Sequence, residues 1–409
     1  MTSHAALSGS HAQIFRHNPA GWSITRCSRV IRFAMGETIL REQLVDGGSW
    51  PVYSATESTV FLGHIDDPRV RLQRGDLVIP ARGNSIGHVK LVDRPATTSQ
   101  TTIYGKVIDR SAVDPKFVFY YLSGLRKDLF RYTQTAIPQI TVAEVGANPF
   151  PLIDRRLQTR IVDFLDRETA KIDTLIAKQE QLIATLQEDR IATIIDAVTR
   201  GVSRGTKGLP EKWTMTQLKW VGRLVTGKTP STADPRNFSD SVGRPWFRPE
   251  DYDPAGRESQ ASMFISNLGQ RGIPVLTGES VHVVSIGATL GKIGYVRGSC
   301  STNQQVTAVE NPPNAKFLYY ALVAQRQNIW AASMGNTLPI ISAGRLGALR
   351  FPWPPVDEQT YLVAQLDERT DEFDHVIEKT RQAITILREY RSAVITNSVT
   401  GKLDVREMV

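Results

Sequence analysis

Two long stretches of this chain repeat apolar residues at a steady three- and four-residue rhythm, and each stretch copies the other. In the first, Ile161, Leu165, Ile172, Leu175, Leu182 and Leu186 fall on heptad a/d spacing, and Val162, Ile176 and Ile183 widen the stripe. In the second, Leu362, Leu366, Phe373, Val376 and Leu387 do the same, widened by Val363, Ile377 and Ile384. The copies run 201 residues apart without a gap, from Phe150-Pro151 and Phe351-Pro352 to Val198-Thr199 and Val399-Thr400. Between those ends Leu165-Asp166 matches Leu366-Asp367, Thr169 matches Thr370, Asp173 matches Asp374 and Arg190 matches Arg391. The rhythm predicts two helices of about 45–50 residues, roughly 70–75 Å long at 1.5 Å per residue. Gly201 and Gly401 stand where C-terminal caps belong. No single domain needs a helix of that length, so the two stripes are each other's simplest partner. Gln179 and Thr380 take equivalent seats in the stripe and are candidates for fixing its register.

The rest of the chain follows a different pattern. Short β-branched runs split by glycine predict strand-turn-strand units, as at Leu77-Val78-Ile79 before Arg82-Gly83-Asn84-Ser85-Ile86-Gly87. Val281-His282-Val283-Val284 precedes the stretch 285–294, SIGATLGKIG, in the same way. Lys116-Phe117 through Tyr120-Tyr121-Leu122 parallels Lys316-Phe317 through Tyr319-Tyr320, and both read as an aromatic-rich helix. Ile137-Pro138-Gln139-Ile140 parallels Leu338-Pro339-Ile340-Ile341. The expected architecture is therefore α+β with an internal pseudo-two-fold repeat. Two similar mixed α/β modules alternate with two long helices that form an antiparallel coiled coil. The segments are a first module over 1–150, a long helix over 151–205, a second module over 206–350, and a second long helix with a C-terminal tail over 351–409.

Charge sharpens this plan. The formal net charge is +8. Lys+Arg exceed Asp+Glu by 17 to 12 over residues 1–150 and by 17 to 9 over 201–351. The helical stretches run the other way, 8 against 9 over 151–200 and 6 against 9 over 352–402. Positive charge on the modules suits a polyanion, and acidic helices suit a protein partner. If equivalent modules bind equivalent halves of duplex DNA, the pseudo-dyad lies along a DNA dyad, and helices related by it run antiparallel. The helix pair then acts as a ruler between two half-sites. Two cysteines, Cys27 and Cys300, argue against a disulfide scaffold or a zinc site and fit a reducing cytoplasm. No stretch is long and apolar enough to span a membrane. Residues 1–19 are polar, lack the apolar core of a secretory signal, and read as a loosely ordered lead-in.

These features resemble the DNA specificity subunit of type I restriction–modification systems. The resemblance rests on the module-helix-module-helix plan, SIGATLGKIG at 285–294, Lys-Thr-Pro-Ser at 228–231 and Asn303-Gln304. Phe-Pro followed by a Leu-Asp-x-x-Thr core in both helices completes it. In the first module, Arg82 to Gly87 is a loose version of the glycine motif, and Ser99-Gln100 stands where Asn303-Gln304 stands later. The resemblance implies two target-recognition domains, each reading half of a bipartite site. It also implies a coiled coil that docks two methyltransferase subunits, with a motor/nuclease subunit joining in the full complex. S-adenosylmethionine is expected on the partner methyltransferase, and no cofactor or metal on this chain.

The candidate DNA contacts are the side chains that suit phosphates and base edges on predicted loops. In the first module they are Arg82, Asn84, Ser85, Lys90, Gln100 and Thr101, with Lys106, Gln134 and Gln139 as weaker additions. In the second they are Lys228, Arg244, Arg248, Thr289, Lys292, Asn303, Gln304, Gln305 and Asn336. Gly287 to Lys292 resembles a phosphate-binding loop, but it is one residue short and Ile293 replaces the required Ser/Thr, so turn glycines are the better reading. Asn311-Pro312-Pro313-Asn314 resembles a base-flipping loop, yet Asn314 cannot stack on a base and a turn fits better. No nucleophile, paired-carboxylate or metal motif stands out, so no catalytic residue is expected. The competing expectations are a stand-alone DNA-modifying enzyme and a coiled-coil protein scaffold.

Overall fold

A computed structural model describes residues 15, 22–56, 60–130, 138–201, 209–253, 257–335 and 337–407. The lead-in other than Phe15, and the candidates Gln134 and Asn336, lie outside the described residues. The chain forms two compact units, one of Met1–Lys178 with Ala383–Val409 and one of Gln179–Gln382. The division cuts both long helices, Arg155–Arg200 and Val356–Val399, which have 46 and 44 residues. Each unit thus holds one module, half of its own helix and half of the other.

In the first unit, Ile31–Met35, Thr102–Val107, Leu77–Pro80 and Lys90–Leu91 form an antiparallel sheet in that order. A smaller sheet orders His64–Ile65, Trp50–Tyr53 and Thr97–Thr98, the last pair parallel. The second unit repeats the frame. Arg223–Thr226, Val306–Glu310, Ser280–Val284 and Ile293–Val296 form its main sheet. The parallel pair recurs as Arg244–Phe247 with Ser301–Thr302. In each unit a two-stranded ribbon leads into the long helix. Ser23–Arg26 pairs Pro149–Leu152, and Thr214–Gln217 pairs Arg350–Trp353. The Phe-Pro pairs therefore lie within strands and do not begin helices; Phe150 and Phe351 are buried, and the helix starts a few residues later.

The first core gathers Phe117, Tyr121 and Phe150 with Ile161, Val162 and Leu165 of the first long helix. Val394, Ile395, Val399 and Val405, from the far end of the chain, complete it. The second core mirrors this with Phe317, Tyr320 and Phe351 against Leu362 and Leu366, completed by Ile194 and Val198. The helices run antiparallel: Arg391 donates Nε and Nη2 to the Asp173 carboxylate at 2.8 and 3.1 Å in the first unit. Arg190 Nε lies 3.2 Å from Asp374 Oδ1 in the second. Both ion pairs are built from residues 201 apart, so one contact is made twice.

The seam corrects the predicted register. Ile161, Leu165, Ile172, Leu362 and Leu366 are buried, and Leu186, Phe373 and Leu387 are half-buried. Leu175, Leu182 and Val376 are 46%, 41% and 43% exposed and do not form the core. Their seats fall one residue later, on Ile176, Ile183 and Ile377. The actual rhythm passes through polar seats, Gln158, Thr169, Gln179 and Arg190 with their copies Gln359, Thr370, Thr380 and Arg391. A reading that follows apolar residues alone skips these seats and slides by one. The threonines fit because each hydroxyl donates to the carbonyl four residues back: Thr169 to Leu165 at 2.6 Å, Thr370 to Leu366 at 2.6 Å, Thr380 to Val376 at 2.7 Å. Gly201 and Gly401 end the helices in the left-handed region, with φ of 65° and 73°.

Candidate nucleic-acid interface

The glycine stretch of the second module is a closed turn. Ser285 N donates to Gln305 O at 2.6 Å, Gly287 N to Pro339 O at 3.0 Å and Gly291 N to Val284 O at 2.8 Å. Leu290 N and Lys292 N also bond carbonyls, those of Gly287 and Thr289. A phosphate cradle needs such N–H groups pointing outward and unspent. Here the backbone uses them to pin three loops together. Lys228 joins the same cluster, its N–H donating to Thr302 O at 2.9 Å, and Thr229 bonds Gln304. The loop side chains left exposed are Lys228, Thr289 and Gln304.

The first module makes the same knot from different residues. Ala81 N donates to Thr101 O at 3.0 Å, Gly83 N to Pro138 O at 3.1 Å and Gly87 N to Pro80 O at 3.1 Å. Its loose glycine motif therefore folds like the tighter one, and Gly83 and Gly87 hold φ of 74° and 72°. Arg82, Asn84 and Gln100 are exposed there, with Ser85 and Thr101 half-buried beside them. Gln139 joins them through its bridge to Arg82. Glu37 takes the place of Lys228 and accepts from Arg69 N and Thr97 Oγ1. Sequence reading missed that position, although Gly36-Glu37-Thr38 lines up with Gly227-Lys228-Thr229 once Trp22 is set against Trp213. The same position thus holds a half-buried framework acid in one knot and an exposed lysine in the other.

Six candidates, counting the weaker Lys106, lie elsewhere or serve the framework. Lys90 bonds Thr56 Oγ1 at 3.3 Å and lies over the Tyr53 ring; burial lowers its pKa from the ordinary lysine value. Arg244 donates to Gln270 Oε1 at 2.7 Å and Arg248 to Ser262 Oγ at 2.9 Å. Lys292 donates to Pro249 O at 2.8 Å, a reach into its own module. Asn303 is buried, and its amide bonds Gln305 Oε1 at 3.0 Å, which makes it a turn former. Lys106, the weaker addition, donates to Arg71 O at 2.7 Å. Asn314 caps a helix by accepting from Phe317 N at 2.9 Å, in keeping with the turn reading of 311–314.

Structure also assembles one cluster that sequence could not. His282 is fully buried, between Tyr252 OH at 3.0 Å from Nδ1 and Ser280 Oγ at 2.9 Å from Nε2. Burial pushes the imidazole pKa down to about 3, so the ring is neutral. Cys300 stands 4.0 Å away, its thiol pushed up to about 12 by the same burial. No surface reaches this cluster at His282, and its satisfied bonds make it a core polar network. Among the described residues no group of three or more His, Cys, Asp or Glu could hold a metal ion. No described helix is long and apolar enough to cross a membrane.

Gly227 has no room for a side chain: a Cβ there would sit 2.2 Å from Asn303 O and 2.2 Å from Thr302 Oγ1. Gly227→Ala is expected to push the 303–305 turn aside and cost about 1–3 kcal/mol. A thermal melt paired with a DNA titration checks this, and an unchanged pair of curves would show that the knot tolerates strain.

One loop frame, built twice with different exposed residues and carried on paired antiparallel helices, is the architecture of a two-module specificity protein. The chain belongs to the type I restriction modification DNA specificity domain family, whose model matches residues 19–184 and again 210–385. It is 20% identical over 200 residues to the MjaIX specificity subunit of Methanocaldococcus jannaschii, covering 46% of this chain and 44% of that one. It is 31% identical over 104 residues to the EcoBI specificity subunit of Escherichia coli, covering 25% and 22%. These matches span less than half the length of either curated relative. The fold matches a chain from a solved structure of the type I R-M system, with a TM-score of 0.69 and 16% identity over 94% of this chain and 99% of that chain.

Proposed function

We propose that the chain is the DNA-reading subunit of a type I restriction–modification complex and performs no bond-making step itself. Each module reads half of a two-part site through its loop knot, and the helix pair sets the distance between the halves. The observation that carries this reading is the duplicated knot whose exposed side chains differ: Arg82, Asn84 and Gln100 in one copy, Lys228, Thr289 and Gln304 in the other. A common frame gives both halves the same approach to the duplex, and unlike side chains give them different bases to prefer. Two methyltransferase subunits, carrying S-adenosylmethionine, dock on the acidic coiled coil, and motor/nuclease subunits join them. The site of action is the cytoplasm.

Mapping methylated positions in DNA exposed to the chain with its partner methyltransferase is the direct test. A two-part motif with a fixed gap is expected, and methylation without the partner would point to an enzyme in its own right. Affinity for duplex DNA should also fall by roughly three orders of magnitude or more between about 50 and 200 mM salt, as for six or more phosphate contacts. A filter-binding titration at the two salt levels reads this; a flat response would favour a protein-binding scaffold.

A further inference from the structure

Each module is tied to its long helix by the same set of four side chains. In the first unit, Lys116 Nζ and Tyr120 OH sit one turn apart on the helix Pro115–Gly124. They donate to the two oxygens of one carboxylate, Asp166 Oδ2 at 2.6 Å and Asp166 Oδ1 at 2.7 Å. Thr169, a turn further along the long helix, lies 3.4 Å from the same phenol. In the second unit, Lys316 Nζ is 3.3 Å from Asp367 Oδ1, Tyr320 OH donates to the same oxygen at 2.5 Å, and Thr370 Oγ1 lies 3.2 Å from it. Both phenols have pKa values raised by burial, so they remain donors at neutral pH.

At the start of the first long helix, Arg155 pairs with Asp114 at 2.8 Å, and Gln158 accepts from Asp114 N at 2.8 Å and donates to Ala112 O at 3.0 Å. Further along, module and helix meet by aliphatic and aromatic packing, as at Phe117 against the stripe of Ile161 and Leu165. Such packing holds two bodies together without strongly fixing the angle between them. A charge-assisted attachment with two donors, spread over both oxygens of Asp166 and converging on one oxygen of Asp367, is directional. The carboxylates are only partly buried, with side-chain exposures of 35% at Asp166 and 42% at Asp367. Their contribution to stability is correspondingly modest. Yet the loops around the knots diverge while all four members of the clamp recur unchanged.

We propose that Asp166 with Lys116 and Tyr120, and Asp367 with Lys316 and Tyr320, are positioning residues that fix the angle of each reading module on its helix and so define which spacer length is accepted. The proposal rests on the two-part DNA reading above. Successive bases on a strand are only about 3.4 Å apart along the axis. A small swing of a module therefore brings the neighbouring register within reach.

The test uses the full chain with its methyltransferase partner on a DNA library whose half-sites are constant and whose gap varies by single base pairs. Tyr120→Phe, Tyr320→Phe, Asp166→Asn and Asp367→Asn are compared with the unaltered chain, and a melt is recorded for each. We expect methylation at gaps one base pair off to rise roughly tenfold relative to the preferred gap. Base preferences within the half-sites should stay unchanged. The Tyr→Phe variants remove one hydroxyl each and keep the ring, so they remain informative where an Asp→Asn variant fails to fold. Variants that bind DNA with the unaltered gap profile overturn the clamp and leave the two-part reading standing. An unaltered chain that recognises no two-part site removes both.

Discussion

Removing one heptad from each long helix, residues 176–182 and 377–383, is expected to move the preferred gap between half-sites to a shorter value. Seven residues at 1.5 Å each shorten a helix by about 10 Å, or roughly three base pairs. The two deletions are copies 201 residues apart and keep the three-four rhythm of the seam intact, so the antiparallel pairing can re-form. The duplex turns by roughly a third over three base pairs, given about 10.5 per turn, so weaker binding should accompany the shift. Methylation mapping on a gap-length library reads both effects. A shortened chain that folds, binds and keeps its original gap would show that the helices do not measure the distance. Deleting the heptad from only one helix leaves Asp173 and Arg391, or Arg190 and Asp374, out of register and should cost stability instead.

How far the sequence reached follows from what each signal depends on. The duplication was plain because copies of one unit keep their seats in order, and the ion pairs Asp173–Arg391 and Arg190–Asp374 fall on residues already matched by the repeat. Helix length and caps were legible because they are local. Seam register was less so: Thr169, Thr370 and Thr380 look polar in one dimension but return their hydroxyls to their own helix and pack as small apolar groups. The loop candidates divided by reach. Arg82, Asn84, Gln100, Lys228, Thr289 and Gln304 lie on the knots and stay exposed. Lys292 and Arg244 had the right chemistry, but their long side chains find partners across the module, Pro249 O and Gln270, which no nearby sequence predicts. The division into compact units was also hidden, because it joins residues at opposite ends of the chain.

That division makes the effect of a buried charge depend on the fold and not on sequence proximity. Val399 follows the second module in sequence, yet it is fully buried in the core of the first unit, beside Val394 and Ile395. Its copy Val198 follows the first module and is buried in the second core. Val399→Asp places a carboxylate in a fully buried seat of that core. We expect it to destabilise the first unit by roughly 4 kcal/mol or more, while Val198→Asp does the same to the second. Hydrogen exchange followed by peptide mapping separates the two cases. In Val399→Asp the strands Leu77–Pro80 and Thr102–Val107 should lose protection, while Ser280–Val284 and Val306–Glu310 keep theirs. Val198→Asp should reverse the pattern. If each variant instead loosened the module that precedes it in sequence, the far ends of the long helices would not be completing the cores as described. If the proposed two-part reading holds, the same cross-dependence bears on it: Val399→Asp should damage recognition of the half-site assigned to the first module before the half assigned to the second, because the weakened core lies beneath the first knot.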